Sequence, residues 1–548
     1  MPLRRARAGR ILGVPNADLV FFGTVLTVDA DRPDAEALAV ADGRIVAVGE
    51  RADVQDWIGP DTEVVALGAG ALLPGLVEAH GHPLMEAVVL GGRLVDIRPV
   101  TMTDADAVLA AVRDEVAARG ADGAYLNGWD ALLQPGLPEP TLAWLDDMAP
   151  DTPLVIVHNS GHKAYFNTAA AAKSGLTRDT PDPAGAKYGR GADGELDGTA
   201  EETAAVFPLL GGVINPGDYP AMLLAECARL NRAGLTMCSD MAFDPMFRPV
   251  LEQLRDQLTV RLRTYEMSTA ALHTDATPDN GDDMVRQAGI KIWVDGSPWI
   301  GNIDLTFPYL DTEATRTIGV VPGSCGCANY TREQLEQIVG AFYPQGWQMA
   351  CHVHGDHGVD TILDVYEQAL QANPRPDHRL RLEHVGAITP EQLARAHALG
   401  VTCSLFVDHI HYWGDVIVDG LFGERGEQWM PAGSAAATGM RISLHNDPPV
   451  TPEEPLRNIS VATTRVAPSG RVLAPSERLT VEQAIRAQTI DAAWQLFSDD
   501  VTGSLQVGKY ADLVVLSADP RTVPAETIAD LDVLATYLAG QQVYAKSD

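Results

Sequence analysis

Hydrophobic and polar positions along the chain fall into two textures. Residues 17–70 are short β-type runs broken by turns: Leu19–Val28, Ala37–Val40, Arg44–Val48 and Thr62–Ala66, with Asp42-Gly43 a hairpin signal between two of them. The far end has the same character in Asp512–Leu516, Val533–Leu538 and Gln541–Val543, and Ala17-Asp18-Leu19-Val20 recurs as Ala511-Asp512-Leu513-Val514. Two ends of one texture predict a single small β-sandwich built from both termini, residues 1–70 and 501–548.

Between those ends, apolar runs alternate with stretches of helical period, the pattern of parallel βα units. The first run is Leu72–Pro83. It is followed by Leu235–Met241, Val260–Tyr265, Gly289–Asp295, Gln348–His352, Leu380–His384, Val401–Phe406 and Arg441–His445, and helical patterns such as Arg332–Phe342, Gly358–Gln371 and Pro390–Leu399 separate several of them. Eight strands with crossovers predict an α/β chain with a (β/α)8 TIM barrel over residues 71–500, whose active site belongs at the C-terminal strand ends. The interval from about 95 to 230 is too long for one crossover and predicts an inserted subdomain after the first strand, holding Val155-Ile156-Val157-His158 and the Gly/Asp-rich segment 189–198.

Charge changes the picture by exclusion. Forty Lys and Arg against 74 Asp and Glu give a net charge of -34, which argues against nucleic acid and anionic membrane surfaces as partners. Six cysteines in 548 residues are not a disulfide framework, and Cys325-Gly326-Cys327 lacks a second pair at zinc-site spacing. The basic start Met1–Arg5 is followed by no uninterrupted apolar region, and no window approaches the ~20 apolar residues of a membrane span. A cytoplasmic protein is the expectation.

The candidate chemistry sits at the strand ends. His80 and His82 close the first run and share a face if it is a strand, making half of a divalent-metal site. Lys291 lies inside the apolar run Gly289-Ile290-Lys291-Ile292-Trp293, where an unpaired ammonium is costly. His352 and His354 end the fifth run on one face, and spacing alone does not choose between them as a ligand. His384 ends the sixth, and His445 and Asp447 end the eighth, where Asp447 precedes a proline and is also a candidate turn cap. His158 and His162, in the inserted stretch, are read as structural.

Together these phrases resemble the metal-dependent amidohydrolase superfamily, in its amidohydrolase family 3 branch and particularly the N-substituted formamide deformylase-like members. The resemblance rests on Glu78-Ala79-His80-Gly81-His82, Lys291-Ile292-Trp293-Val294-Asp295-Gly296-Ser297, His409-Ile410-His411-Tyr412-Trp413-Gly414-Asp415, Leu444-His445-Asn446-Asp447-Pro448-Pro449-Val450 and the closing run Gly503–Leu513. It implies that His80, His82 and Asp447 hold one metal, His352 and His384 a second, and an N-carboxylated Lys291 bridges them, with Zn²⁺ the expected ion. It selects His352 over His354, although histidines at 354 and 357 depart from the family pattern and leave His354 a candidate substrate contact. It also implies a homodimer.

On this reading a metal-activated water attacks a carbonyl and Asp447 moves the proton to the leaving nitrogen. His445 is a candidate either for stabilising the tetrahedral intermediate or for packing behind the ligands. Trp293, Trp299, Tyr412 and Trp413 are candidates for an apolar substrate pocket. The leading substrate is a small amide, an N-substituted formamide; a cyclic imide, carbamate, lactone or aminated heterocycle is the alternative on the same site. A non-catalytic binding or scaffold barrel is the competing class, and it should show apolar residues at the ligand positions, all of which are filled here.

Overall fold

The computed structural model describes residues 16–213, 217–268, 272–278 and 280–547, so the basic segment Met1–Arg5 lies outside the described residues. Eight parallel strands form one sheet: Leu76–Gly81, Leu235–Phe243, Arg261–Met267, Val285–Trp293, Gln348–Val353, Arg381–His384, Thr402–Leu405 and Ile442–Leu444, here the first to eighth barrel strands. Each expected run is a strand in this sheet, and consecutive strands pair in order. The first and eighth strands share no ladder. Gln488, fully buried, spans that seam: its backbone carbonyl accepts from Val77 N at 2.9 Å and its side-chain amide donates to the Leu444 carbonyl.

Alternation decides which residues reach the site. In the fourth strand Ile290 and Ile292 join the large apolar cluster that includes the surrounding helices, which leaves Lys291 and Trp293 on the other face. In the fifth, Met349, Cys351 and Val353 do the same, leaving Ala350 and His352. The helices Arg332–Phe342 and Pro390–Leu399 cover the barrel where the sequence places them, each opened by a threonine capping box with a glutamine three positions on.

The two ends of the chain meet in one seven-stranded sheet, in the order Gln541–Ala545, Val533–Leu538, Leu513–Leu516, Glu63–Pro74, Leu19–Leu26, Asp34–Ala41, Arg44–Gly49. By hydrogen bonding this is a single continuous sheet, with apolar clusters on both faces. Its central strand Glu63–Pro74 passes into the first barrel strand through Gly75, where a Cβ would lie 2.1 Å from Thr236 Oγ1. The buried Arg261–Asp512 pair, at 2.7 Å, fastens this sheet to the third barrel strand. Between the first and second barrel strands lies a six-stranded sheet over residues 95–201, with its own apolar cluster around Ile97, Leu126, Trp129 and Ile156. No helix of the described residues is long and apolar enough to cross a membrane.

Candidate metal centre

The C-terminal ends of the first, fourth, fifth, sixth and eighth strands converge. Oδ1 of Asp447 lies 3.2 Å from His82 Nε2 and 3.5 Å from His80 Nε2, yet this buried oxygen has no hydrogen bond. Three sets of donor atoms, His80/His82/Asp447, His352/His354/His384 and His80/His384/His445, each lie within 4.8 Å of one another. The rings of His80 and His352 are each 4.5 Å from that of His384, so the sets are continuous.

Backbone shape completes the convergence. Strict alternation would send His384 outward with Leu382. Instead His384 has a φ of +70° and Asp447 one of +54°, left-handed conformations that cost about 1–3 kcal/mol each for residues with a Cβ. The turn at His384 is what brings its ring to the centre.

Partners behind the imidazoles fix their tautomers. Nδ1 of His80 donates to Glu383 Oε2 at 2.7 Å, and Glu383 is held in turn by Arg381 at 2.8 Å. That leaves Nε2 of His80 as the lone-pair nitrogen. His352 Nε2 donates to the Gly296 carbonyl at 2.8 Å, leaving Nδ1 free to bind an ion. His445 Nε2 lies 3.0 Å from His384 Nδ1, and its own Nδ1 is 2.8 Å from Ser404 Oγ, so His445 stands behind His384.

Electrostatics suit a cation. Burial, reinforced by neighbouring positive charge, holds His80, His352, His354 and His384 well below the ordinary imidazole range, and burial drives His445 down to about 3. All five are therefore neutral at pH 7, the form an imidazole needs to bind a cation. Burial alone would raise Asp447, but its contact with His82, with the Lys291 charge beyond it, outweighs burial and keeps the carboxyl below its ordinary range. Lys291 is fully buried, burial lowers it to about 8, and among the described residues its Nζ has no carboxylate within 4 Å; a near neighbour is His80 Nε2 at 3.1 Å. An orphaned carboxylate oxygen, neutral imidazoles and an unpaired lysine are a donor set that fits divalent cations.

The centre opens into a cavity of about 90 Å³ lined by His80, His82, Lys291, His352, His384 and Asp447 on one side and by Met85, Val89, Val157, Val206, Phe207 and Leu210 on the other. An apolar recess of about 200 Å³ adjoins it, sharing His82, Met85, Phe207, Leu210 and Ala242.

This arrangement agrees with a family profile, described as the amidohydrolase family, that matches residues 63–544. The chain belongs to the amidohydrolase family. It is similar over nearly its whole length to Protein LONG AFTER FAR-RED 3 of Arabidopsis thaliana, 29% identical over 96% of this chain and 91% of the relative. It is 26% identical to the N-substituted formamide deformylase of Arthrobacter pascens, over 96% of this chain and 98% of that protein. Its fold matches a metal-dependent hydrolase of Pyrococcus horikoshii with a TM-score of 0.71 at 20% identity, covering 92% of this chain and 99% of that one.

Of the residues singled out in the sequence, His80, His82, Lys291, His352, His384, His445 and Asp447 come together. His354 stacks on His384 and His409, with ring centroids at 4.9 and 5.3 Å, and is buried beside the ligands. His357 is exposed and pairs with Asp304. Of the four aromatics only Trp293 lines the cavity. Trp299 and Trp413 stack on each other at 4.7 Å in the core, Trp413 donating to Asp130, while Tyr412 packs toward Arg457. His158 is buried against Ser160, as a structural residue would be. His162 is not merely structural in position: it lines the cavity with its ring 4.6 Å from His352. Glu383, Arg381, Ser404 and Glu202 were not singled out. The alternation that puts Arg381 and Glu383 on the face of the barrel interior was the available signal for the first two.

Proposed function

We propose that the chain hydrolyses the carbon–nitrogen bond of a small amide, with an N-substituted formamide as the leading substrate. The observation that carries this reading is the cavity: a reacting end of about 90 Å³, roomy enough for a very small acyl group, lies beside a largely apolar recess of about 200 Å³ with which it shares His82, Met85, Phe207, Leu210 and Ala242 and which suits a nitrogen substituent. The likeness to an N-substituted formamide deformylase at 26% identity supports the same choice.

His80, His82 and Asp447 would hold one divalent ion, His352 and His384 a second, and Lys291, N-carboxylated, would lie between them. Such an ion, Zn²⁺ or one like it, supplies Lewis acidity toward a carbonyl oxygen and lowers the pKa of a water to roughly 7. Lys291 suits carboxylation because its lowered pKa of about 8 leaves a useful fraction of neutral amine to add to CO₂ with release of a proton. Asp447 takes the proton of the attacking water on a carboxylate oxygen and returns it to the leaving nitrogen. Glu383 and Arg381 hold His80 in register, and the apolar wall of Val157, Val206, Phe207 and Leu210 excludes bulk water.

The test is a hydrolysis screen on metal-loaded protein with N-alkyl and N-aryl formamides, longer acyl amides, a cyclic imide, a carbamate and a lactone. Apolar N-substituted formamides should turn over fastest. Faster turnover of the imide, carbamate or lactone would move the substrate class, and no turnover of any member by metal-replete protein would overturn the hydrolase reading of this cavity.

A further inference from the structure

The inserted sheet sends His162 into the cavity, with Glu202 behind it, and the candidate ligand set uses neither. His162 follows the strand Leu154–His158, and Glu202 follows Leu196–Glu201. Nδ1 of His162 donates to Glu202 Oε2 at 2.8 Å, and the backbone N–H of Glu202 donates to the His162 carbonyl at 2.7 Å. The other carboxylate oxygen of Glu202 accepts from Asn302 Nδ2 at 2.9 Å, and Asn302 Oδ1 accepts from the backbone of Ser297 at 2.7 Å. The chain thus runs from the inserted sheet to the loop after the fourth barrel strand.

Two details show that the pair is built rather than incidental. Glu202 stands at the N-cap of a short helix without capping it, and it holds a φ of +69° while its carboxylate goes to His162 and Asn302. Gly296, whose carbonyl accepts from His352, leaves the space they need: a Cβ there would lie 2.4 Å from both Glu202 Oε1 and Asn302 Oδ1. Glu202 is buried, and with Nδ1 committed to it, Nε2 of His162 makes no hydrogen bond among the described residues, on a ring that lines the cavity beside His352.

We propose that His162 is a catalytic residue contributed by the inserted sheet, its Nε2 making a hydrogen bond to a polar atom of the substrate's reacting acyl group, and that Glu202 is its positioning residue. This rests on the hydrolase reading given above. The substrate it favours is one whose acyl group reaches between His352 and the inserted sheet, so that the barrel holds one side of the reacting carbon and the insertion the other.

The experiment uses the metal-loaded full chain with His162→Ala, His162→Gln, Glu202→Gln and Glu202→Asp. Turnover is measured on the best substrate of the screen, and binding of formate, the carboxylate product that the small reacting end would release, is measured by calorimetry. His162→Ala should lower kcat/KM by ~10–10³-fold, with metal content and Tm unchanged, weaken formate at least several-fold, and regain turnover with added imidazole. Glu202→Gln should give a smaller loss that falls mainly on kcat, with Glu202→Asp recovering part of it. Both His162 variants keeping kcat/KM and formate affinity within twofold of wild type would overturn the proposal, as would a wild-type protein that binds no formate. A wild type that binds formate through His162 but hydrolyses nothing in the screen would sink the amide reading and leave only the contact of His162 with a carboxylate standing.

Discussion

Replacing Asp447 by Asn separates proton transfer from ion holding. The structure makes the swap mild in every respect but one. Asp447 has a φ of +54°, a conformation that Asn tolerates as well as Asp, and the change removes no apolar volume, so the backbone turn after the eighth strand should survive. What is lost is an ionised, acceptor-only oxygen placed 3.2 Å from His82 Nε2 and 3.5 Å from His80 Nε2. An amide there cannot take a proton in this pH range. A positioned acid–base group contributes ~10²–10⁴ in rate, equivalent to about 2.7–5.5 kcal/mol of barrier. Steady-state hydrolysis of the best screen substrate should fall by at least that lower factor, while elemental analysis retains metal on the His352/His384 side and the melting temperature stays within a few degrees. Near-normal turnover of Asp447→Asn with both ions bound would refute the reasoning and reduce Asp447 to a turn cap.

Three further outcomes follow from the same geometry. His80→Ala or His82→Ala should lower both metal content and turnover, and chelation should abolish activity that added Zn²⁺ restores; full activity in demonstrably metal-free protein would end the metal reading. Lys291→Ala should cost occupancy of the two-ion state before it costs the fold, and unchanged occupancy of two ions by elemental analysis would remove the carbamate. Away from the centre, burial raises Glu226 to about 8, with Glu86 beside it adding to the rise and Arg229 opposing; burial also raises Glu86, with Glu453 adding to it, and raises Glu453 to about 8 against the hydrogen bond from Glu86. A carboxyl whose folded pKa is raised loses stability as pH rises from its ordinary value of 4.5 through about 8. The melting temperature of Glu226→Gln minus that of wild type should therefore grow more positive from about pH 5 to about pH 9, and a flat difference would count against the buried cluster.

The barrel strands were legible because each is a run of apolar residues whose alternate positions must face helices, and periodicity records that demand directly. The ligands were legible where they obeyed it, as Lys291 and His352 do between Ile290, Ile292, Met349 and Cys351. His384 reached the centre for a reason periodicity cannot carry, a left-handed turn that reverses the face its alternation assigns. Trp299, Tyr412 and Trp413 stand after strands, yet position along the chain does not distinguish a ring stacked in the core from one lining a cavity. In the sequence His162 reads as structural because its partner Glu202 and its neighbour His352 are distant along the chain, and only folding puts them in contact.

The passage of one chain segment from the middle of the terminal sheet into the first barrel strand has a consequence for the order of assembly. Glu63–Pro74 and Leu76–Gly81 leave the ribosome early, but the partners that finish them come last: Gln488 across the barrel seam and Leu513–Leu516 along the sheet. During synthesis both apolar edges wait open, as long-range strand pairs must wait for the residues that close them. A chain cut just before residue 488 keeps every candidate ligand yet has neither closure, so its hazard is aggregation through unpaired edges and not a missing side chain.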